Sequence, residues 1–423
     1  MNIRQSVSLY FLILALRLKV YSICAFIFWL NINKFENINE NLKSKNLRRA
    51  LVFPKSGGTE DLVEALKNKK NNEIIYYWIS RKFLKNIYLY YFRNNSGTDY
   101  FTKIKGSKKI SIKKFYIRSL TKIFQSLDKF LKFDALISFN IFYYAEKNLD
   151  EVCKRLDKKF VILQKESAFT PIEEKNAIKI YQNYNDKSIS TKISVYSKSQ
   201  KNILVKSKIA EKKQIIVNGC PRSDYSFKLR KIKPKNNIIV YYLIEKKRGK
   251  VLFAKKSQFN WNSLYDKTLK FLIEYSKNND NVKLILKGKT GVHNNLLNSK
   301  FLSKNCIFIN GGTGEKLLKD AKVVIAFNTT IVFEAIASNR NLIIPNFNHE
   351  NVKKKDRIHK IENTNYFVNS KLDFFRKLDT YLHSGYKNRK LIKREKKILE
   401  YYQGNVDGKS GKRLEKFLSQ IIC

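Results

Sequence analysis

Residues 321–347 of the chain read AKVVIAFNTTIVFEAIASNRNLIIPNF. The apolar run at residues 323–327 predicts a strand that is buried on both faces, as strands of parallel sheets are. A polar turn follows at residues 328–330, then a helix that contains Glu334, and then a second apolar strand. The stretch therefore predicts a β–α–β unit of an open α/β fold.

The polar turn of this unit is suited to binding a phosphate. Backbone N–H groups are unpaired where a helix begins, so Asn328, Thr329 and Thr330 can form an anion cradle. Glu334 lies one turn beyond Thr330, so both side chains can face one crevice. This arrangement favours a nucleoside diphosphate, with its pyrophosphate on the turn and its ribose hydroxyls on the carboxylate. A plain β–α–β unit with a capped helix and a surface glutamate fits the same pattern, so both interpretations stay open.

The length of 423 residues predicts more than one domain. Alternating strand and helix patterns restart after a charged, proline-containing linker. We assign an apolar and basic N-terminal segment, a Rossmann-like acceptor domain, a Rossmann-like nucleotide-donor domain and C-terminal helices to residues 1–45, 46–230, 236–371 and 372–423.

The first strand of the acceptor domain leads into Ser56-Gly57-Gly58 and a helix with Asp61 in its first turn. These glycines lack the spacing of a dinucleotide fingerprint, so they predict a tight turn at an acceptor cleft. Further along the chain, residues 142–158 and 391–422 each predict one long helix.

The formal charge of +50 arises from 85 Lys and Arg against 35 Asp and Glu. It indicates either anionic partners or a compositional drift that accompanies the high Asn and Ile content. The basic residues are spread along the whole chain, and no zinc-ligand spacing occurs. We therefore favour drift with a general attraction to anionic surfaces over dedicated nucleic-acid binding. Five widely spaced cysteines favour reduced thiols in a cytosolic setting.

Residues 6–30 are apolar apart from Arg17 and Lys19. The apolar runs on either side of these cations are each too short to span a bilayer, and no signal-peptide cleavage site follows. Three interpretations remain open: a helix lying in the membrane interface, an ordinary packing helix and a true span.

Two motifs resemble those of a known group. VNGCPRSD at residues 217–224 resembles the strand–G-x-P-R-x-D element of CDP-glycerol glycerophosphotransferases and related surface and capsular carbohydrate biosynthesis proteins. Residues 317–345 resemble a second element of that group, with Asn328-Thr329-Thr330 at its Ser/Thr positions and Glu334 at its Glu. The resemblance covers roughly residues 134–370. It implies a GT-B architecture, with two Rossmann-like domains facing a cleft and a C-terminal helical extension, as in nucleotide-sugar-dependent glycosyltransferases.

The chain departs from the glycerophosphotransferases at two places. Those enzymes have His-Gly where this chain has Lys165-Glu166-Ser167, and K-x-H-P where it has Lys287-Gly288-Lys289. Both histidines are missing, so sugar transfer fits better than histidine-based glycerophosphate transfer. Glu166 is then the candidate base, or orienting group, for an acceptor hydroxyl. A cap for the following loop explains it as well.

A nucleotide-sugar donor needs its leaving phosphate neutralised, which cations can do without a metal or cofactor. Lys287 and Lys289 follow a second-domain strand and are candidates for this role, although solvated surface lysines fit too. Arg222 follows a rigid proline and has the planar guanidinium that suits phosphate. An ion pair with Asp224 is the alternative.

These features predict a glycosyltransferase of surface or capsule polysaccharide assembly. It would pass a nucleotide-activated sugar to a hydroxyl of a lipid-linked or polymeric acceptor. We expect it in the cytoplasm, peripherally attached to the inner face of the cell membrane. The alternatives are a CDP-glycerol-type glycerophosphotransferase, a nucleotide-sugar epimerase, and a non-catalytic protein that binds nucleic acid or another polyanion.

Overall fold

The computed structural model describes residues 3–35, 47–67, 73–92, 107–165, 171–182, 192–244, 261–289, 304–312, 314–327, 329–347, 365–405 and 407–423. It is an α/β structure that divides into two compact units. Unit 1 consists of Met1–Ser167, Ile178–Arg222 and Lys409–Cys423, and unit 2 of Ala168–Ala177 and Ser223–Gly408.

Unit 1 is built on a seven-stranded sheet of order β1-β3-β2-β4-β5-β6-β7. Its strands are β1 (Asn33–Lys34), β2 (Arg48–Val52), β3 (Ile74–Trp78), β4 (Ala135–Ser138), β5 (Lys159–Gln164), β6 (Lys192–Val195) and β7 (Ile215–Val217). All neighbouring pairs are parallel except β1 with β3. All four residues of β4 are buried, and the first three are apolar, because both faces of a parallel sheet are covered.

The helices up to the end of β7 are α1 (Ile3–Arg17), α2 (Tyr21–Leu30), α3 (Gly58–Leu66), α4 (Lys82–Phe92), α5 (Ser107–Leu131), α6 (Leu149–Arg155), α7 (Pro171–Gln182) and α8 (Lys198–Lys206). The apolar N-terminal stretch thus forms two helices, and Lys19 in the turn between them has a positive φ of 58°. No helix in the described part of the chain is both long enough and apolar enough to cross a membrane.

Unit 2 is built on a six-stranded, wholly parallel sheet of order β10-β9-β8-β11-β12-β13. Its strands are β8 (Ile238–Tyr242), β9 (Lys283–Gly288), β10 (Cys306–Asn310), β11 (Val323–Ile325), β12 (Asn341–Pro345) and β13 (Phe367–Val368). Numbered within the unit, this is the 3-2-1-4-5-6 order of the dinucleotide-binding Rossmann fold.

The remaining helices are α9 (Pro221–Lys228), α10 (Trp261–Lys277), α11 (Ile331–Ala337), α12 (Lys371–His383), α13 (Lys393–Gln403) and α14 (Ser410–Ile422). In unit 2, Phe333 of α11 and Tyr402 of α13 are both fully buried, and their rings stack with centroids 4.5 Å apart. In unit 1, Leu414, Phe417 and Leu418 of α14 join the core of the sheet. The last helix therefore returns to the unit in which the chain begins.

The predicted helix at residues 142–158 is wrong in its first half, because the helix begins only at Leu149. Ahead of it, Asn140 Oδ1 accepts from Phe142 N at 2.7 Å, and Gln164 Oε1 accepts from Ile141 N at 3.0 Å. The Asn140 bond reaches the backbone two residues on, a local turn that is an alternative to helix at this point.

The predicted single helix at residues 391–422 is also wrong, because it is divided into α13 and α14. Gly404 follows α13 with a φ of 76°, and Gly408 has a φ of 74°. Glycine adopts this left-handed conformation without steric cost and commonly ends a helix there. The apolar periodicity continued across the break, which concealed it.

Candidate functional site

The strand order of unit 2 points to one edge of its sheet. In open α/β sheets, ligands bind beyond the carboxyl ends of the strands, at the position where the strand order reverses. Here the reversal falls between β8 and β11, which are paired through Val323 and Ile239. The segments that follow these two strands are therefore the expected ligand position in this unit.

Tyr242 and Glu334 come together at this position. Tyr242 is the last residue of β8, and its hydroxyl donates a hydrogen bond to Gly314 O at 2.7 Å. Burial, together with the nearby carboxylates of Glu334 and Glu315, raises the pKa of Tyr242 well above its ordinary value of 10.0. Glu334 lies on α11 and is 6% exposed. A carboxylate from α11 and a neutral phenol from β8 therefore share one environment.

The turn before α11 holds the two described threonines of the predicted phosphate cradle. Thr329 and Thr330 are half-buried, and their carbonyls accept from the backbone N–H groups of Val332 and Phe333. The Thr330 side chain makes no capping hydrogen bond, although Thr330 occupies the N-cap position. The hydroxyl is therefore not used as a helix cap. Asn328 lies outside the described residues.

Lys287 is a buried cation near the same edge. It belongs to β9, pairs in register with Tyr242 of β8, and is 7% exposed. Its ammonium donates to Gly288 O at 2.7 Å, and within the described part of the chain no carboxylate forms an ion pair with it. Burial lowers the pKa of Lys287 below the ordinary 10.5. Registered residues of parallel strands project to the same face, so Lys287 and Tyr242 share a face of the sheet.

Two further segments complete this edge of unit 2. Lys289, immediately after β9, is exposed to solvent. The loop after β10 passes through Gly311 and Gly312, whose φ values of 74° and 72° lie in the left-handed region that glycine adopts without steric cost. It then reaches Gly314, where an added Cβ would lie only 3.0 Å from the Tyr242 ring. The loop thus packs directly against the end of β8.

In unit 1, Arg222 at the start of α9 is anchored to α3. Its Nε donates to Asp61 Oδ1 at 2.7 Å, and its backbone N–H donates to the same oxygen at 3.3 Å. Asp61 is 3% exposed and also accepts from the hydroxyl of Tyr196, the residue that follows β6. Arg222 is therefore held rigidly, by a buried partner that the sequence had indicated only as a helix-terminal charge.

The turn after β2 lies close to this arginine. A Cβ added to Gly57, which has a φ of 87°, would lie 3.9 Å from both terminal nitrogens of Arg222 and 3.7 Å from Lys165 Cδ. Two cationic side chains thus converge on the glycine turn from the ends of β5 and β7. Glu166, the candidate base, directly follows Lys165 but lies outside the described residues.

Asp61, Lys165 and Tyr242 lie at these edges, and the sequence analysis did not assign them to a site. Asp61 carries a recognisable signal, since it precedes Leu62 and lies on the same helix as Ala65, both of which are buried. A carboxylate on the buried face of a helix requires a partner. Tyr242 carries the weaker signal of a hydroxyl at the end of an apolar strand.

Neither a family model nor a curated protein matches this sequence. Solved structures do match it. A histidine variant of the wall teichoic acid polymerase TagF is similar with a TM-score of 0.50 at 11% identity, over 100% of this chain and 99% of that one. A TagF crystal soaked with CDPG gives the same score and identity, over 100% and 98%. The UDP-GlcNAc 2-epimerase of Neisseria meningitidis, bound to UDP-GlcNAc, has a TM-score of 0.46 at 12% identity, over 88% of this chain and 100% of that one.

The fold is GT-B. This confirms the predicted α/β class with two Rossmann-like units, and it confirms the resemblance to the glycerophosphotransferase and glycosyltransferase group at the level of the fold. At 11% identity the likeness to TagF establishes the fold alone.

Replacing Asp61 by alanine should destabilise the protein by about 3–5 kcal/mol, because it leaves the partly buried Arg222 without its buried partner. The control is Glu151→Ala, which breaks the exposed Arg155–Glu151 pair and should cost no more than about 1 kcal/mol. Thermal or urea unfolding monitored by circular dichroism measures both. Equal losses in the two variants would show that the Asp61 cluster does not organise unit 1.

Proposed function

We propose that this chain is a glycosyltransferase that takes a nucleotide-activated sugar as its donor. The observation that carries the proposal is the buried ammonium of Lys287, near the carboxyl edge of a sheet with Rossmann strand order and without a described carboxylate partner. Removing a charged group from water is costly unless an opposite charge compensates. The diphosphate of a nucleotide sugar would supply that charge.

Lys287 lies at a different edge of the sheet from Lys322, which is also buried. Lys322 is 2% exposed and donates to Ser384 O at 2.5 Å, and burial and the charge of Lys233 lower its pKa. Lys322 directly precedes β11, however, and so lies at the amino edge, where open α/β sheets do not bind their ligands. The two lysines therefore form a natural pair of test and control sites.

In the proposed donor site, Lys287 and Lys289 neutralise the diphosphate, and Asn328, Thr329 and Thr330 hydrogen-bond to it. Glu334 accepts hydrogen bonds from the ribose hydroxyls. When the bond between the anomeric carbon and the leaving phosphate breaks, negative charge develops on the phosphate, and fixed cations stabilise it. In this proposal the lysines perform that task without a metal or cofactor.

The acceptor side of the proposal rests on unit 1. The acceptor hydroxyl must lose a proton as it attacks, and Glu166 is the proposed base. We further propose that Arg222 and Lys165, which both lie near the Gly57 turn, orient an anionic group of the substrate. We propose a lipid-linked or polymeric carbohydrate acceptor of surface polysaccharide assembly, used at the inner face of the cell membrane. The charge of +50 and the apolar N-terminal helices support that location.

Glycerophosphate transfer is the second candidate, because three of the matching structures are of the teichoic acid polymerase TagF. The absence of histidine from residues 165–167 and 287–289 favours sugar transfer.

A thermal-shift screen tests the donor site first. Purified protein at raised salt, which suppresses nonspecific polyanion binding, is heated with UDP, CDP, GDP, ADP or inorganic pyrophosphate. The proposal expects one nucleoside diphosphate to stabilise the protein well beyond pyrophosphate. Equal shifts from all five compounds that fade with added salt would mean that the protein is a polyanion binder.

Lys287→Gln should weaken binding of the selected nucleoside diphosphate by about 10-fold to 150-fold, the value of a charge-assisted hydrogen bond. Lys322→Gln should leave it unchanged. Glutamine keeps a donor for the carbonyl that each lysine contacts, so both variants are conservative. Isothermal titration calorimetry gives the two dissociation constants, and equal losses would remove Lys287 from the donor site.

The same two variants should also differ in how their nucleotide affinity depends on pH. Because burial lowers the pKa of Lys287, the ammonium deprotonates at a lower pH than the ordinary 10.5, and a bound diphosphate favours the charged form. Nucleotide affinity should therefore be full below the lowered pKa and fall as the pH rises through it. Lys287→Gln should lose this decrease, whereas Lys322→Gln should keep it.

Glu334→Ala, which removes the acceptor oxygens, should abolish discrimination between ribose and deoxyribose. The wild type should bind the selected nucleoside diphosphate about 10-fold to 150-fold more tightly than its 2′,3′-dideoxy analogue, since hydroxyls donating to a carboxylate contribute about 1.5–3 kcal/mol. In the variant the two affinities should become similar, while pyrophosphate binding persists. A variant that retains the preference would assign the ribose to another residue.

A further inference from the structure

We infer that the outer face of the α1–α2 hairpin, extended by the end of α5, docks onto an anionic lipid bilayer. This inference deepens the proposed function, since it names the surface that would bring the enzyme to a lipid-linked acceptor. It rests on contacts within unit 1.

The two N-terminal helices run antiparallel as a hairpin. Arg4 at the start of α1 donates to Leu30 O at the end of α2, at 2.8 Å, and Asn31 Nδ2 donates to Ser8 Oγ at 3.1 Å. The inner face of the hairpin is apolar and buried, and Phe28 places its ring 5.5 Å from that of Phe83 and 6.1 Å from that of Phe124. The hairpin is thus fixed to the body of the unit.

The outer face of the hairpin is apolar as well. Its exposed large side chains recur every three or four residues along each helix, which places each set on one face. On α1 they are Val7, Tyr10, Phe11 and Leu14, with Leu18 in the turn directly after it, and on α2 they are Ile23, Phe26, Trp29 and Leu30. Their exposed fractions run from 41% to 70%. A helix that is apolar all round is normally buried in a protein or in a membrane, and an exposed apolar patch of this kind marks an interaction surface.

Aromatic contacts join this face to α5. The rings of Phe26 and Trp29 stack with centroids 5.7 Å apart, and Trp29 lies 6.1 Å from Phe130 near the end of α5. Phe130 is itself 49% exposed. Trp and Tyr are the residues enriched at membrane–water interfaces, so the composition of the surface matches that boundary.

The charged residues around this surface indicate which kind of partner binds to it. Residues 3–35 contain Arg4, Arg17, Lys19 and Lys34, all exposed, and no Asp or Glu. Cations that rim an apolar face complement a layer of anionic headgroups. A second copy of the chain would fit poorly, because a twofold interface places the same patch of each copy against the other and so brings like charges together. The helices are 15 and 10 residues long, which suits a position in the interface plane.

Vesicle flotation of the full chain tests the inference. The wild type should float with vesicles of phosphatidylcholine mixed with phosphatidylglycerol, bind less to pure phosphatidylcholine, and lose binding as salt rises. The double variant Phe11→Ser, Trp29→Ser should reduce partitioning into the mixed vesicles at least about 10-fold, because it removes two large apolar side chains. The matched control Leu372→Ser, Ile392→Ser alters two residues of unit 2 that are 69% and 56% exposed, and should partition like the wild type.

A fluorescence measurement distinguishes the possible occupants. The substitutions Trp78→Phe and Trp261→Phe leave Trp29 as the sole tryptophan, whose emission should shift to the blue on mixed vesicles and be quenched by brominated lipid chains. No flotation, or equal partitioning of both double variants, would overturn the inference. A blue shift without lipid, accompanied by concentration-dependent dimers, would assign the surface to a second copy instead.

Nucleotide binding at the donor site can be measured independently of vesicle binding. The Phe11→Ser, Trp29→Ser variant should retain the thermal shift with the selected nucleoside diphosphate. If the wild type binds nucleotide but not vesicles, only the inference that this surface docks onto a bilayer is contradicted. A wild type that binds vesicles but no nucleotide contradicts the proposed function and leaves the surface intact.

Discussion

Parallel pairing of buried strands is the constraint on which the rest of this structure depends. A parallel pair needs a crossover segment, usually a helix, and the repetition of this unit sends every strand of a sheet in the same direction. The carboxyl ends consequently meet at one edge, and with them the segments that begin each crossover. Tyr242, Lys287 and the threonines before α11 are distant in sequence, yet this constraint alone brings them to one edge of unit 2.

The strands and the donor-side β–α–β unit could be predicted because their signal is local. Residues 323–327 are apolar without interruption, and the structure places β11 there, followed by α11 and β12. Two such patterns in series predicted two Rossmann-like domains, and the resemblance carried by residues 217–224 and 317–345 implied the GT-B fold. Helix ends were harder to predict. The division between α13 and α14 depends on glycines with positive φ within an unbroken apolar periodicity, and the late start of α6 follows a local turn bond at Asn140.

Long-range partners could not be predicted at all. The acceptor for Arg222 is Asp61, which lies 161 residues earlier in the chain, and no local pattern encodes such a distance. The return of α14 to unit 1 is similar, since its apolar face would fit any core. The position of Glu334 one helical turn beyond Thr330 could be predicted because that spacing is local, and its role toward a ribose stays a prediction.

The cations of this protein fall into three groups with different roles. Most of the excess lysine and arginine is spread over the surface, where each cation is solvated and contributes little energy individually. Lys287 differs because it is withdrawn from water near the carboxyl edge of unit 2, where an anion is the natural complement. The cations around the α1–α2 hairpin differ again, because they rim an apolar face and because residues 3–35 contain no Asp or Glu. The amino-acid composition gives only the total charge of these three groups of cations, whereas their positions in the structure distinguish them.

The central claim is that a nucleoside diphosphate binds at the carboxyl edge of the unit 2 sheet. Hydrogen exchange measured by mass spectrometry, with and without the nucleotide selected by thermal shift, tests it most directly. The account predicts slower exchange in the segments that follow β8 and β9 and at the start of α11, with no change at the amino edge around residues 281–283. Protection confined to unit 1, or to the amino edge of either sheet, would contradict it.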